Sequence, residues 1–125
     1  MANVPTKQMN ALYMKALNNQ GNAIKSGHYE LFIGDGLGTG NDWIKVVASG
    51  NLIPMIELKH YGTTIFYWNL KTGEVHTGGA WSASDRDAIN GLLTLMGFPC
   101  CAYIRRGEMH FDHRRFNDCL EDKII

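Results

Sequence analysis

The residues most able to do chemistry form one run at positions 110–115, H-F-D-H-R-R. If this run begins as a strand, His110 and Asp112 lie on one face and His113 follows near the strand end. Imidazole and carboxylate groups suit zinc or manganese, so these three side chains could hold a metal ion. With a histidine as general base and arginines stabilising negative charge, the cluster would suit a small metal-dependent phosphodiesterase.

A simpler interpretation of this run is favoured. Catalytic sites draw residues from several elements, and one contiguous run shows no such convergence. The run is therefore interpreted as a polar strand face on which Asp112 pairs with an arginine. No catalytic residue, metal or cofactor is assigned, and the metal site is kept as an alternative.

Arginines around the same run predict a second kind of surface. Positions 103–116 carry four arginines against Glu108 and Asp112, a local excess of two positive charges. Arginines contact phosphates and aromatic rings stack on bases, so the segment could form a nucleic-acid platform. Its members would be Tyr103, Arg105, Arg106, Arg114 and Arg115, with Phe111 and Phe116 near them.

A hydrolase triad is the remaining catalytic pattern that can be assembled. It would combine Ser82 or Ser84 with His76 and Asp85. The G-x-S-x-G nucleophile elbow is missing, however, and Ser84 fits better as the N-cap of a helix. The sequence therefore predicts a protein that is not an enzyme.

Two further features have structural interpretations. The three cysteines, Cys100, Cys101 and Cys119, include an adjacent pair and form no disulfide framework, so they are interpreted as small buried residues that stay reduced. Glycine occupies every second position from 34 to 40, but the lysine and the spacing of phosphate-binding loops are missing. Residues 34–42 are predicted to be a connecting loop, and ligand binding there stays open.

The elements that must position these residues have their clearest patterns between Tyr61 and Gly97. Alternating β-branched and aromatic residues predict strands, and apolar residues three and four apart predict helices. The helix in this stretch is predicted to begin after Ser84 and to stop at Gly97. The predicted elements are a helix at 6–20, strands at 28–33, 43–48, 52–59, 63–68 and 74–77, a helix at 84–96, a hairpin at 100–112 and a helix at 114–122.

The fourth predicted strand supplies the expected partner surface. Strict alternation places Ile65 and Tyr67 on one face and Phe66 and Trp68 on the other. Bulky residues on both faces indicate either a strand covered on both sides or one exposed aromatic face. The hairpin is therefore expected to present Phe66, Trp68 and His76 outward.

Length and composition bound the fold and its setting. The 125 residues, 45% hydrophobic and 19% charged, are typical of one globular domain over positions 1–125. The predicted fold class is α+β: a mostly antiparallel sheet of about five to seven strands, with the N-terminal helix and the helix at 84–96 packed on it.

Charge and hydropathy bound the partners. The formal net charge is zero, so no global field attracts nucleic acid, and a homo-oligomer is compatible with the sequence. No apolar run reaches the length of a signal peptide or a membrane span. The chain is therefore expected to be soluble and cytoplasmic, with no membrane partner.

Two short motifs flank the central hairpin. They are H-Y-G-T at 60–63 and the pair S-A-S at 82–84 and A-I-N at 88–90. In these motifs the segment at about 50–97 resembles a domain of small phage and plasmid proteins of unknown function, whose pattern is S-Y-x-T, a hairpin, a Ser/Thr-rich cap and a helix with H-I-N. Ala88 stands where that pattern has histidine, and the Ser/Thr run is shorter. The resemblance implies a phage or mobile-element setting, where small proteins often inhibit host defence systems.

The predicted function is non-enzymatic binding to a host or phage protein, with inhibition of a defence nuclease such as a CRISPR nuclease as the specific hypothesis. Aromatic and arginine side chains are the usual interface anchors. Nucleic-acid binding and phosphodiesterase activity are the alternatives. The predicted contact residues are Phe66, Trp68, His76, Arg105, Arg106, Arg114 and Arg115, and the wider aromatic supply is Trp43, Tyr61, Tyr67 and Trp81.

Overall fold

The computed structural model of the protein describes residues 6–34, 55–70 and 72–123. In these ranges the chain forms a five-stranded antiparallel sheet of order β1-β2-β3-β4-β5, a separate two-stranded sheet β6-β7, and three helices. The predicted α+β class is confirmed. The elements are α1 (Thr6–Asn18), β1 (Ala23–Ser26), β2 (Tyr29–Ile33), β3 (Met55–His60), β4 (Thr63–Asn69), β5 (Glu74–His76), α2 (Ala83–Leu95), β6 (Ala102–Arg105), β7 (Glu108–Phe111) and α3 (His113–Lys123).

The core lies between one face of the larger sheet and the helices. Helix α1 buries Met9, Leu12 and Ala16, and α2 buries Ile89 and Leu92 among others. Both helices follow the apolar spacing of three and four residues, so each presents one apolar stripe to the sheet. Burying each large aliphatic side chain stabilises the fold by about 1.5–3 kcal/mol, and this face holds most of them.

A β-bulge in β4 overturns one expectation from the sequence. The pairing with β3 shifts between Leu58 and Lys59, so Ile65 becomes an additional residue in β4. Ile65 and Phe66 are therefore both buried, at 1% and 0% exposed, and Trp68 is 1% exposed. The expectation that Phe66 and Trp68 face outward is wrong. After the bulge, Phe66 pairs with Leu58 and Trp68 with Ile56, so both aromatic side chains share the buried face of those residues.

The strand β5 keeps its expected exposure. His76 is exposed, stacks on Tyr67 with ring centroids 5.1 Å apart, and pairs with Glu74 at 3.3 Å. Tyr67 lies on the sheet face opposite the core and is half-buried. Of the three hairpin residues predicted to face outward, only His76 does so.

The N-terminal part adds a strand that the sequence pattern did not predict. The helix α1 ends at Asn18, two residues before the predicted end, and β1 then pairs antiparallel with β2. The Gln8 side chain donates to the Ser26 backbone carbonyl at 3.0 Å, which ties α1 to β1. The predicted strand at 43–48, Trp43 and nearly all of the glycine-rich loop at 34–42 lie outside the described residues.

The predicted C-terminal hairpin is confirmed as β6 and β7, although β6 begins at Ala102. Arg106 and Gly107 join the strands with φ values of 54° and 78°, as a two-residue hairpin turn requires. Helix α3 then returns to the core through Phe116, which stacks on Phe98 at 4.6 Å and meets the edge of Trp68 at 5.6 Å. Within the described ranges, no helix is both long and apolar enough to cross a membrane.

Asn90 fastens α2 to the C-terminal hairpin. Its amide nitrogen donates to the Ala102 carbonyl at 2.9 Å, and its carbonyl accepts from the Ala102 amide at 3.0 Å. Both bonds are buried, so Asn90 satisfies the Ala102 backbone in the way that a neighbouring strand would.

Replacing Asn90 by alanine should lower the free energy of unfolding by about 2 kcal/mol or more, because a buried amide and a buried carbonyl lose their partners. Chemical unfolding followed by circular dichroism measures this loss. Asn10→Ala, at an exposed position of α1, is the matched control and should change stability by less than about 0.5 kcal/mol. Equal stability of the two variants would contradict the role given to Asn90.

Candidate functional site

A buried hydrogen bond joins the end of β3 to the first turn of α2. His60 is the last residue of β3, and its Nδ1 lies 2.7 Å from Oδ1 of Asp85. The two side chains are only 12% and 5% exposed. A polar pair this deeply buried must satisfy its own hydrogen bonds, and the surrounding backbone helps to do so.

The Asp85 carboxylate also closes the N-terminus of α2. Its Oδ2 accepts from the backbone amides of Trp81 at 3.1 Å and Ser82 at 3.3 Å, while the Asp85 amide donates to Oγ of Ser82 at 3.1 Å. This is a reciprocal capping box with Ser82 as N-cap. The prediction of Ser84 as N-cap is wrong, because the capping box with Asp85 places the start of the helix two residues earlier, at Ser82.

The ionisation of Asp85 fixes the proton in the His60–Asp85 bond. Burial would raise the pKa of Asp85, but hydrogen bonds from His60, from the Trp81 and Ser82 amides and from the Ser82 side chain together lower it. An ionised carboxylate only accepts hydrogen bonds, so His60 must donate through Nδ1. Its Nε2 is then the ring nitrogen left to accept a hydrogen bond.

Aromatic stacking fixes the ring of His60. Tyr29 stacks on it almost in parallel, with centroids 4.3 Å apart and planes at 8°. The Tyr61 ring also contacts it, tilted, with centroids 4.6 Å apart, and His28 stacks on Tyr61 at 4.1 Å. Burial, followed by electrostatic interaction with Asp85, Tyr61 and Asp87, raises the pKa of Tyr29, so this ring stays an uncharged phenol near neutral pH.

A cleft of about 310 Å³ opens above this pair. Its rim carries two large aromatic side chains, Tyr61 and Trp81, which are 68% and 76% exposed. Thr63 and Ser84 add hydroxyl groups, and His60 and Asp85 also line it. The cleft thus combines exposed apolar surface with a few fixed polar groups, the composition typical of recognition sites. We call this site the Tyr61–Trp81 cleft.

Gly79 brings the loop before α2 close enough to form one wall of the cleft. Its φ is 96°, and a Cβ placed there would lie 2.6 Å from the Thr64 carbonyl oxygen. Only glycine permits this approach of the loop to β4. Two residues later, the Trp81 amide is bonded to Asp85. The backbone that carries Trp81 is therefore fixed on both sides.

Tyr61 occupies a strained backbone position. It has φ of 54° at the turn between β3 and β4, followed by Gly62 with φ of 79°. Aromatic residues seldom adopt this left-handed conformation, in which asparagine or glycine costs less. The Tyr61 amide donates to the His28 carbonyl at 2.8 Å, which holds the turn against the β1–β2 turn. A strained aromatic residue with an exposed ring is more readily explained by recognition than by folding.

The chemistry available to the cleft is limited. Both oxygens of Asp85 are engaged in holding His60 and the helix cap, and Oγ of Ser82 is engaged in the same cap. In the part of the chain that the structure describes, no hydroxyl group is hydrogen-bonded to His60. The side chains of His60, Asp85 and Ser82 therefore hold the end of β3 and the start of α2 together.

The triad considered from the sequence is not assembled. His76 lies on β5 and pairs with Glu74, whereas Asp85 pairs with His60. Sequence reasoning missed His60 as a site residue because 25 positions separate it from Asp85. The available signal was the resemblance motif, since its two halves, at 60–63 and 82–90, both contribute residues to the cleft or its support.

The predicted metal cluster is also dispersed. Asp112 caps α3 by accepting from the Arg115 amide at 3.0 Å, His110 stacks on Tyr103, and His113 meets the edge of Phe111. Among the described residues, no three His, Cys, Asp or Glu side chains are grouped to hold a metal ion. The hypothesis of a polar face with Asp112 beside an arginine fits, although its contact with Arg115 is long, at 3.9 Å.

The cysteines differ from one another. Cys101 is buried, and burial first, followed by the charge of Asp112, raises its pKa to about 11. A thiol with so high a pKa is a poor nucleophile at neutral pH. Cys119 is partly buried, but Cys100 is exposed, so its predicted burial is wrong.

No family model, curated protein or solved structure matches this chain. The resemblance to small phage and plasmid proteins therefore stays a prediction. The fold and the site define the protein only as an α+β domain that presents an aromatic-rimmed cleft over a buried histidine–aspartate pair.

Replacing Asp85 by asparagine should lower the free energy of unfolding at neutral pH by about 1–3 kcal/mol, because a charged acceptor of several buried bonds is lost. The pKa of Asp85 in the folded state is below its ordinary 3.8. Stability from the ionised form is therefore fully present above that value and is lost as the pH falls through the folded-state pKa. Urea unfolding of the wild type and of Asp85→Asn across the pH range measures the difference between their free energies of unfolding.

This difference in the free energy of unfolding should stay constant at neutral and mildly acidic pH and should become smaller only below about pH 4. Asp118→Asn, at an exposed position of α3, is the control and should have little effect throughout. A difference that persists unchanged at the lowest pH, or that disappears near neutrality, would contradict the ionised state assigned to Asp85.

Proposed function

We propose that the protein is a non-enzymatic binding protein and that the Tyr61–Trp81 cleft contacts its partner protein. The single observation that carries this proposal is the exposure of two large aromatic side chains, at 68% and 76%, on the rim of one cleft. Tyrosine and tryptophan are the residues that most often dominate the energy of protein interfaces.

The energetics favour such a role. An aromatic side chain can bury about 150–250 Å² on contact with a partner. At about 25 cal/mol per Å², two such side chains represent several kcal/mol of stabilisation that the free protein does not use. Without a partner, both rings leave apolar surface in water.

Preorganisation adds to this argument. Trp81 lies between Gly79, which touches β4, and the amide bonds to Asp85. Tyr61 is held by the His28 carbonyl, by stacking with the His28 ring and by a tilted contact with the His60 ring. Side chains mounted on a fixed backbone lose less conformational freedom on binding, so more of the contact energy appears as affinity.

The partner class follows from the sequence resemblance. A small phage or plasmid protein of this kind would act in the cytoplasm of the host cell, and its partner would be a host or phage protein. A defence nuclease, including a CRISPR nuclease, is the specific partner class that we propose, because small proteins of such elements often block host defence.

Replacing Trp81 by alanine should weaken partner binding by about 30-fold, which corresponds to the roughly 2 kcal/mol of a central aromatic anchor. Tyr61→Ala should weaken it in the same direction. The affinity is measured by titrating purified partner, identified first by capture on the wild-type chain and mass spectrometry. Circular dichroism and thermal unfolding verify that both variants stay folded.

Met14→Ala is the matched control, since Met14 is an exposed apolar residue of α1, 49% exposed and outside the cleft. It should bind the partner as the wild type does. A partner that binds the Trp81 and Tyr61 variants as tightly as the wild type would refute the role of the cleft. Failure to capture a stoichiometric partner from the host would count against the proposed function itself.

A further inference from the structure

The β6–β7 hairpin has one buried and one exposed face. Ala102 pairs with Phe111 and Ile104 with Met109, so these four side chains share one face, from which Ala102, Met109 and Phe111 pack on the core. The alternate pairs are Tyr103 with His110 and Arg105 with Glu108, so these four side chains share the outer face. Tyr103 is 43% exposed there.

We propose that this outer face binds single-stranded nucleic acid, with a base stacked on Tyr103 and His110 and with phosphates contacted by the adjacent arginines. We call it the Tyr103 platform: Tyr103, Arg105, Arg106 and His110. It shares no residue with the Tyr61–Trp81 cleft, so this inference does not depend on the proposed function.

The two aromatic rings of the platform are packed together. Tyr103 and His110 are stacked across the strands with centroids 5.3 Å apart and planes at 18°. Each ring limits the rotation of the other, so the platform is already ordered before a ligand arrives. Stacking of a base on such a ring contributes about 1–3 kcal/mol and depends little on the base.

The two arginines of the platform are exposed on its surface. In the described part of the chain, no carboxylate lies within ion-pair distance of Arg105, Arg106 or Arg114, which are all exposed. By contrast, Arg86 on α2 is paired with Asp87 at 3.0 Å. Free guanidinium groups beside an aromatic surface are suited to phosphate contacts.

The turn that joins β6 and β7 also supports the proposed binding. Arg106 has φ of 54°, a left-handed conformation in which asparagine or glycine would be less strained. A Cβ added to the neighbouring Gly107 would meet no atom within 4 Å, so the tip is unobstructed. An arginine is therefore held at an open hairpin tip at some cost in backbone strain, which contacts with a ligand can offset.

The chemistry selects single strands over duplexes. A stacking platform needs an unpaired base whose face is accessible, which a duplex does not offer. The whole chain has zero formal net charge, so no overall positive field adds to the attraction that these arginines exert on a polyanion. With about two or three phosphate contacts, the logarithm of the binding constant should fall against the logarithm of salt concentration with a slope of about −1.4 to −2.1.

Fluorescence anisotropy with a labelled single-stranded oligothymidylate and the full-length protein tests this proposal over a series of salt concentrations. The double variant Arg105→Ala with Arg106→Ala should lose most of the affinity and about 1.4 units of the salt slope. Tyr103→Ala should weaken binding about 10-fold, by loss of stacking, and leave the salt slope unchanged. Tyr103→Phe should bind like the wild type, because it keeps the ring.

Arg86→Ala removes an arginine outside the platform and serves as the charge control, with affinity unchanged. Circular dichroism establishes that each variant is folded. The proposal is overturned if the wild type does not bind at low salt, or if Tyr103→Ala binds as tightly as Tyr103→Phe. It is overturned equally if a duplex of the same length binds as well as the single strand, because charge alone would then account for binding.

Discussion

The carboxylate of Asp85 links the end of β3, which is 25 residues away in sequence, to the loop before α2 and to the first turn of that helix. It accepts from His60 at the end of β3 and from the amides of Trp81 and Ser82 before α2. A buried charge is costly unless hydrogen bonds compensate it, and here several do so at once. Loss of any one of these hydrogen bonds leaves the buried charge of Asp85 less well compensated. The end of β3, the loop before α2 and the first turn of α2 are therefore held as one unit.

This unit holds the backbone of the two exposed aromatic residues of the cleft. Trp81 and Tyr61 point into solvent from backbone that is bonded and, for Tyr61, strained at φ of 54°. Arg106, at the tip of the C-terminal hairpin, has the same left-handed backbone conformation, with φ of 54°. Among the described residues outside glycine, these two have positive φ, and each lies on a surface to which we assign binding. Strain at a turn is tolerated because the flanking strands over-determine it.

The local elements could be predicted from the sequence, and the contacts between them could not. Periodicity located most of the helices and strands, because amphipathic patterns are local. A single bulge residue, Ile65, was enough to turn Phe66 inward, and no pattern within the strand reveals it. Ser82 and Ser84 each precede an aspartate by three residues, so two capping boxes overlap, and only the contact with His60 selects the first. Such tertiary choices depend on residues far away in the chain.

Donation by His60 through Nδ1 to an ionised Asp85 underlies the geometry of the cleft, and long-range ¹H–¹⁵N NMR of the labelled protein at neutral pH measures it directly. The structure requires a proton on Nδ1 of His60, since an ionised carboxylate can only accept. A spectrum that shows Nδ1 of His60 without a proton would contradict this arrangement, and with it the explanation of how the cleft is held.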